Sequence, residues 1–165
     1  MIKAYQRQAL ALDLLRRNAR ITIVHKVTGI SRRILNYTYF QLHGRSASGG
    51  AMKKSTVAIT RNVTAFKEAI LFTICYQTAD SLINDDEAQK VIVAFDAFKK
   101  LTPDSKLDFS GAWGVADDFR NKKITLIRCT KCQAAVLLNA RLDPVHHCMY
   151  CKTPYKQHAA LYSSR

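Results

Sequence analysis

The sequence predicts a mostly α-helical fold followed by a small C-terminal lobe, and three observations lead to this prediction. Apolar residues recur at helical spacing through most of residues 1–121. Glycine, proline and helix-capping residues divide this stretch into separate helices. Two short apolar runs and four closely spaced cysteines follow within residues 122–165. We therefore divide the chain into a helical region, 1–121, and a lobe organised by its cysteines, 122–165.

The first three helices are predicted close to the N-terminus. Residues 5–18 form the first, because arginine and glutamine are interspersed with Ala9, Leu10, Leu12, Leu14 and Leu15. A second covers 21–27, although its β-branched residues lower its helix propensity. Gly29 can take the positive φ that ends a helix, and Ser31 is a good N-cap for a third, from Arg32 to about residue 42. Its inward-facing residues are predicted to be Ile34, Leu35, Thr38 and Leu42.

A helix, a glycine turn and a capped helix in succession are typical of a DNA-binding helix-turn-helix. The first turn of the third helix presents Arg32, Arg33 and Asn36. Their side chains suit phosphates and base edges in the major groove. We therefore predict a helix-turn-helix-like segment in which these three residues are the candidates for base readout.

The loop at residues 44–56 is rich in glycine, serine and lysine, which suits either a flexible linker or an arm that tracks phosphates. Three further helices are predicted at about 64–83, from the cap at 84–87 to Leu101, and at 109–121. Their aromatic residues have core-like spacing, and Cys75 is expected to be a buried core thiol. The aromatic residues are Phe66, Phe72, Phe95, Phe98 and Trp113.

Two short strands, Ile124–Arg128 and Ala135–Asn139, accompany the cysteines. Two C-x2-C pairs separated by fifteen residues have the spacing of a structural zinc site. Four thiolates complete a tetrahedral Zn²⁺ and leave no open position for a substrate. Disulfides are disfavoured because residues 1–20 do not resemble a secretory signal. The predicted ligands are Cys129, Cys132, Cys148 and Cys151, and replacement of one by His146 or His147 is a minor alternative.

Charge is strongly segregated along the chain, which has a formal net charge of +14. Residues 1–67 carry +12, residues 68–118 carry −6 and residues 119–165 carry +8. Basic segments attract polyanions by releasing condensed counterions. The acidic middle would be repelled by nucleic acid, so it is expected to face a partner protein. The longest apolar run, around residues 69–76, is too short to span a bilayer, and a soluble cytoplasmic protein is expected.

Candidate phosphate contacts are the cations of both basic ends: Lys26, Arg45, Lys53, Lys54, Arg128, Lys131 and Lys152. Two other functions remain open from composition. The same charge and cysteines suit a zinc-ribbon protein that binds RNA or the ribosome. An enzyme is disfavoured, because no Walker, nucleophile-elbow or zinc-protease motif is found.

Most of the chain, about residues 8–155, resembles the FlhC family of flagellar transcriptional activators. The resemblance is carried by 19–21, 28–31, 42–46, 91–95, Asp108–Trp113, Leu126–Cys132 and Cys148–Cys151. It implies a mostly helical zinc protein with the four cysteines as ligands. It also implies double-stranded DNA binding in a hetero-oligomer with an FlhD-type subunit, and activation of the σ70 form of RNA polymerase at flagellar operons.

Overall fold

A computed structural model describes residues 2–49, 62–84, 86–139 and 147–154. The described residues form six helices and one antiparallel pair of strands, which confirms the mostly α-helical fold. The elements are α1 (Ile2–Arg16), α2 (Ile21–Thr28), α3 (Arg32–His43), α4 (Val63–Leu82), α5 (Glu87–Leu101), α6 (Phe109–Arg120), β1 (Ile124–Arg128) and β2 (Ala135–Asn139). Among the described residues, none of the helices is long and apolar enough to cross a membrane.

Helices α1, α2 and α3 pack against one another around buried leucine and isoleucine side chains. The turn between α2 and α3 forms as predicted. Gly29 adopts φ 70° and donates its N–H to the His25 carbonyl, which closes the last turn of α2. The Ser31 hydroxyl accepts the N–H of Ile34 and caps α3. The turn between α2 and α3 therefore follows from two local signals.

The inward face of α3 differs from the predicted one. Leu35 and Tyr39 are buried, whereas Ile34 is 57% exposed and Leu42 is 38% exposed. Leu35 and Tyr39 pack in the core instead, and the Tyr39 hydroxyl donates to Asn18 Oδ1 at 2.8 Å. This bond ties the buried side of α3 to the segment that follows α1, and the opposite side of α3 faces outward. The prediction that Ile34 and Leu42 face inward was wrong, and Thr38 is only half-buried.

Helices α4, α5 and α6 enclose the aromatic core. The rings of Phe72 and Phe98 meet edge to face at a centroid distance of 6.0 Å, and those of Phe95 and Phe109 do so at 5.2 Å. Packing of the predicted aromatic residues in the core is thus confirmed, with Phe66 only partly buried. The prediction for Cys75 was wrong in degree, because this thiol is half-buried at the edge of the core. Burial nevertheless raises its pKa.

The strands β1 and β2 have the predicted bounds and pair antiparallel, with Leu126 opposite Leu137. They pack against α4 and α6. Ile124 and Leu137 belong to the same core as the helices, while Val136 and Leu138 pack beside the cysteines. The sheet therefore has one side in the helical core and one side in a second, smaller core that contains Cys129 and Cys148.

Candidate metal centre and nucleic-acid interface

The first C-x2-C pair lies in a tight turn that links β1 to β2. The Cys129 N–H donates to the Ala134 carbonyl, and the Cys129 carbonyl accepts the N–H of Gln133, both at 2.9 Å. Gln133 adopts φ 59°, a left-handed conformation that lets the chain turn back after the second cysteine. These bonds fix the direction of both thiols.

The second pair repeats this geometry. The Cys148 N–H donates to the Thr153 carbonyl, and the Cys148 carbonyl accepts the N–H of Lys152, both at 2.8 Å. Lys152 adopts φ 59°, matching the residue at the same place in the first turn. Two turns with the same hydrogen bonds and the same left-handed position therefore aim their cysteines at one point.

The four sulfur atoms lie within 4.8 Å of one another. Cys129 Sγ is 3.5 Å from Cys151 Sγ, and Cys132 Sγ is 3.6 Å from Cys148 Sγ. A tetrahedral ion with metal–sulfur bonds of about 2.3 Å would separate its ligands by about 3.8 Å. A disulfide would bring two sulfurs to about 2.05 Å, and all four are free thiols. The cluster can therefore hold a metal ion, as the cysteine spacing predicted.

The pKa values of two of the four cysteines are shifted in opposite directions. Hydrogen bonding with the side chain and backbone of Thr153 lowers the pKa of Cys151, which favours its thiolate. A backbone hydrogen bond at Ala134 lowers the pKa of Cys132, but desolvation and the three neighbouring sulfurs outweigh it and raise this pKa to about 12. A bound metal would require the Cys132 thiol to lose its proton.

His146 and His147 were the alternative metal ligands. His147 is exposed, and its backbone pairs with Pro154. It is not part of the metal-ligating cluster found among the described residues, which consists of cysteines. His146 lies outside the described residues, so its role as a replacement ligand stays a prediction.

The predicted base-reading residues lie together at the start of α3. Arg32, Arg33 and Asn36 are all exposed, and Lys26 is exposed near the end of α2. Within the described ranges, none of the three cations forms an ion pair. Arg45, just beyond α3, is exposed and donates to Asn18 Oδ1 at 3.4 Å. The α2–α3 unit thus presents uncompensated positive charge.

A second group of predicted contacts surrounds the cysteine turns. Arg128, Lys131 and Lys152 are all exposed there. Lys53 and Lys54 lie outside the described residues, so their role as phosphate contacts stays a prediction.

Acidic residues of the central region are largely engaged within the chain. Arg17 donates to both carboxylate oxygens of Asp96, at 2.9 and 2.7 Å, and these bonds raise the pKa of the guanidinium. Lys90 bridges Asp80 and Glu87. Intramolecular pairing therefore accounts for much of the acidic middle, an outcome that net charge alone does not reveal.

Three exposed side chains of α3 were not predicted as functional residues. Ile34, Tyr37 and Phe40 form an exposed apolar strip on α3 between the candidate DNA contacts. Helical spacing counted from Tyr39 places all three outward, whereas the apolar pattern had predicted that Ile34 faces inward. Thr153 was also missed, and it contacts Cys151 Sγ at 3.1 Å.

Comparison with known proteins identifies the family of this chain. No curated protein matches the chain. A family model described as "Flagellar transcriptional activator (FlhC)" matches residues 1–161 of the 165. This match spans the helix-turn-helix-like unit, the aromatic core and both cysteine turns, and it confirms the resemblance found in the sequence. The chain therefore belongs to the FlhC family of flagellar transcriptional activators.

Proposed function

We propose that this chain binds specific double-stranded DNA and activates transcription of flagellar-type operons. The observation that carries the proposal is the cluster of exposed, unpaired cations on α2 and α3, in a chain of the FlhC family. Arg32, Arg33 and Asn36 contact base edges, and Lys26 and Arg45 contact phosphates. Lys53 and Lys54, which follow in the sequence, add phosphate contacts.

The metal is Zn²⁺, and its role is structural. Four sulfur ligands suit zinc, and a closed tetrahedral shell leaves no position for a reacting molecule. The ion holds the two cysteine turns together, so the lobe at 122–165 can present Arg128, Lys131 and Lys152 to phosphates. The helical region at 1–121 carries base readout and partner binding.

The chain works in a hetero-oligomer with an FlhD-type subunit and contacts RNA polymerase. Residues 68–118 bear net negative charge, which disfavours their approach to DNA. This surface, rather than the basic ends, faces the partner proteins. Native mass spectrometry of the complex purified with its partner tests this arrangement, because it reports the subunit ratio and one zinc per chain together.

DNA binding is tested by fluorescence anisotropy on a promoter duplex over a range of salt concentrations. Affinity should fall steeply as salt rises, and random duplex or structured RNA should compete poorly. Lys26→Ala should reduce the salt slope by about 1, while Arg33→Ala should cost about 1–3 kcal/mol. Lys100→Ala removes an exposed lysine of the acidic middle and is the matched control. Equal affinity for promoter and random DNA would refute sequence-specific binding.

A further inference from the structure

The outer face of α3 carries three exposed apolar side chains: Ile34, Tyr37 and Phe40. They are 57%, 67% and 51% exposed. Their spacing of three residues places them along one side of the helix, opposite Leu35 and Tyr39, which are buried. An apolar strip of this kind on a short surface helix is a recognised sign of a binding surface.

The surroundings of this face favour a polyanion as its occupant. Arg33 lies one turn before Tyr37 on the same side of the helix, and it has no ion-pair partner among the residues that the structure describes. No aspartate or glutamate occurs between Leu14 and Lys67. An occupant of this face must pair with cations and also cover apolar side chains. Duplex DNA offers phosphates and apolar base edges in one groove, whereas a protein partner would need acidic groups around an apolar patch.

The major groove of DNA displays one apolar group on its base edges, the C5-methyl of thymine, and is wide enough to admit a helix. We propose that the outer face of α3 reads thymine methyl groups through Ile34, Tyr37 and Phe40, while Arg33 bonds an adjacent base edge or phosphate. This inference rests on the proposed DNA binding and adds the chemistry of specificity. Recognition should therefore depend on methyl groups as well as on hydrogen bonds.

The test compares thymine with deoxyuridine, which pairs in the same way but lacks the methyl group. The full chain, purified with its partner, first selects a duplex from a random pool. Each thymine of the selected site is then replaced singly. Loss of a buried methyl-sized group should weaken binding about fourfold at one or more positions. Each of three variants should lose the preference for thymine over deoxyuridine at the base pair that its side chain contacts. The variants are Ile34→Ala, Tyr37→Ala and Phe40→Ala.

Tyr5→Ala is the matched control, because Tyr5 is an exposed tyrosine, 74% accessible, on α1. It should keep the full thymine preference. The inference is overturned if no deoxyuridine weakens binding, or if the preference persists in all three α3 variants. It is also overturned if these variants lose the partner subunit instead, which would make the face a protein interface. Failure to select any sequence would overturn the proposed function and this inference with it.

Discussion

The helical body (α1–α6) and the cysteine lobe (β1, β2 and the two cysteine turns) are stabilised by different means. The body buries large side chains completely, among them Phe72, Phe98 and Phe109. The lobe has a core of its own made of Cys129, Val136, Leu138 and Cys148, and two of these four are ligands of the proposed metal. Apolar burial scales with size, so a unit as small as the lobe is expected to need a cross-link such as the proposed metal.

The comparison shows how one chain combines the two strategies. The sheet has one side in the body's core and the other against the cysteines. Phe66 packs against both cores, and the Lys67 ammonium lies 5.9 Å from the centre of the Tyr150 ring. The lobe therefore packs directly against the body, through both the sheet and these side chains.

Loss of the metal should give the largest effect. Cys129→Ala removes one of the four proposed ligands and should abolish stoichiometric zinc binding. The effect on the lobe should be large, because structural zinc contributes about 10–16 kcal/mol of apparent binding energy in small modules. Zinc analysis by mass spectrometry and hydrogen exchange should show an empty, unprotected lobe beside a protected body. Cys75→Ala is the control and should keep its zinc. An unchanged lobe in the metal-free variant would show that burial alone suffices there.

A cavity in the body should give the next largest effect. Phe72→Ala should lower the free energy of unfolding by about 3–5 kcal/mol, because a fully buried ring is removed. Urea denaturation measures this loss. Zinc content per folded chain should stay at one, since this ring is part of the helical core. Loss of zinc in folded Phe72→Ala would mean that the two regions unfold as a single unit.

A substitution at the junction between body and lobe should have a smaller effect. It should change both the free energy of unfolding and the retention of zinc. Phe66→Ala removes a partly buried ring shared by the two cores and should cost about 2 kcal/mol. It should also speed the transfer of zinc to a chelator. Val63→Ala, at an exposed position (60%) on the same helix, is the control. A stability loss without faster zinc release would show that the ring supports the body alone.

The smallest expected effect concerns pH and the body's ion pairs. Burial raises the pKa of Glu87, but hydrogen bonds from Tyr76, Lys90 and Arg120 outweigh it and leave this pKa below its usual value. Because the folded-state pKa is depressed, Glu87 stabilises the body above the unfolded pKa of about 4.3. That stability is lost as pH falls through the folded value.

Glu87→Gln should cost about 1 kcal/mol at pH 7, since the carboxylate is partly exposed, and almost nothing near pH 3. The measurement is urea denaturation of the parent protein and the variant at each pH. Acid also protonates the cysteines and should release zinc, but equally in both proteins, so the difference in their free energies of unfolding isolates Glu87. An equal difference in unfolding free energy at both pH values would contradict the conclusion that the ionised Glu87 carboxylate supplies this stability.

Local chemistry explains why so much of the fold was predictable. Gly29 and Ser31 end and begin helices through their own backbone and hydroxyl groups, and Asp86 caps α5 by accepting the Gln89 N–H. The bounds of β1 and β2 likewise follow from short apolar runs. Features that depend on distant groups were not predictable, such as the tether from Tyr39 to Asn18 and the pairing of Arg17 with Asp96.

The sequence by itself determined the order of the helices, the two strands and the set of four cysteines that can share one ion, because these depend on neighbours within a few residues. Only the tertiary structure decided which face of α3 turns outward, how the acidic residues are neutralised and how closely the cysteine lobe joins the body. Those outcomes depend on contacts between residues far apart in the chain. Ile34, which the apolar pattern had assigned to the core, lies for that reason on the exposed face of α3 with Tyr37 and Phe40.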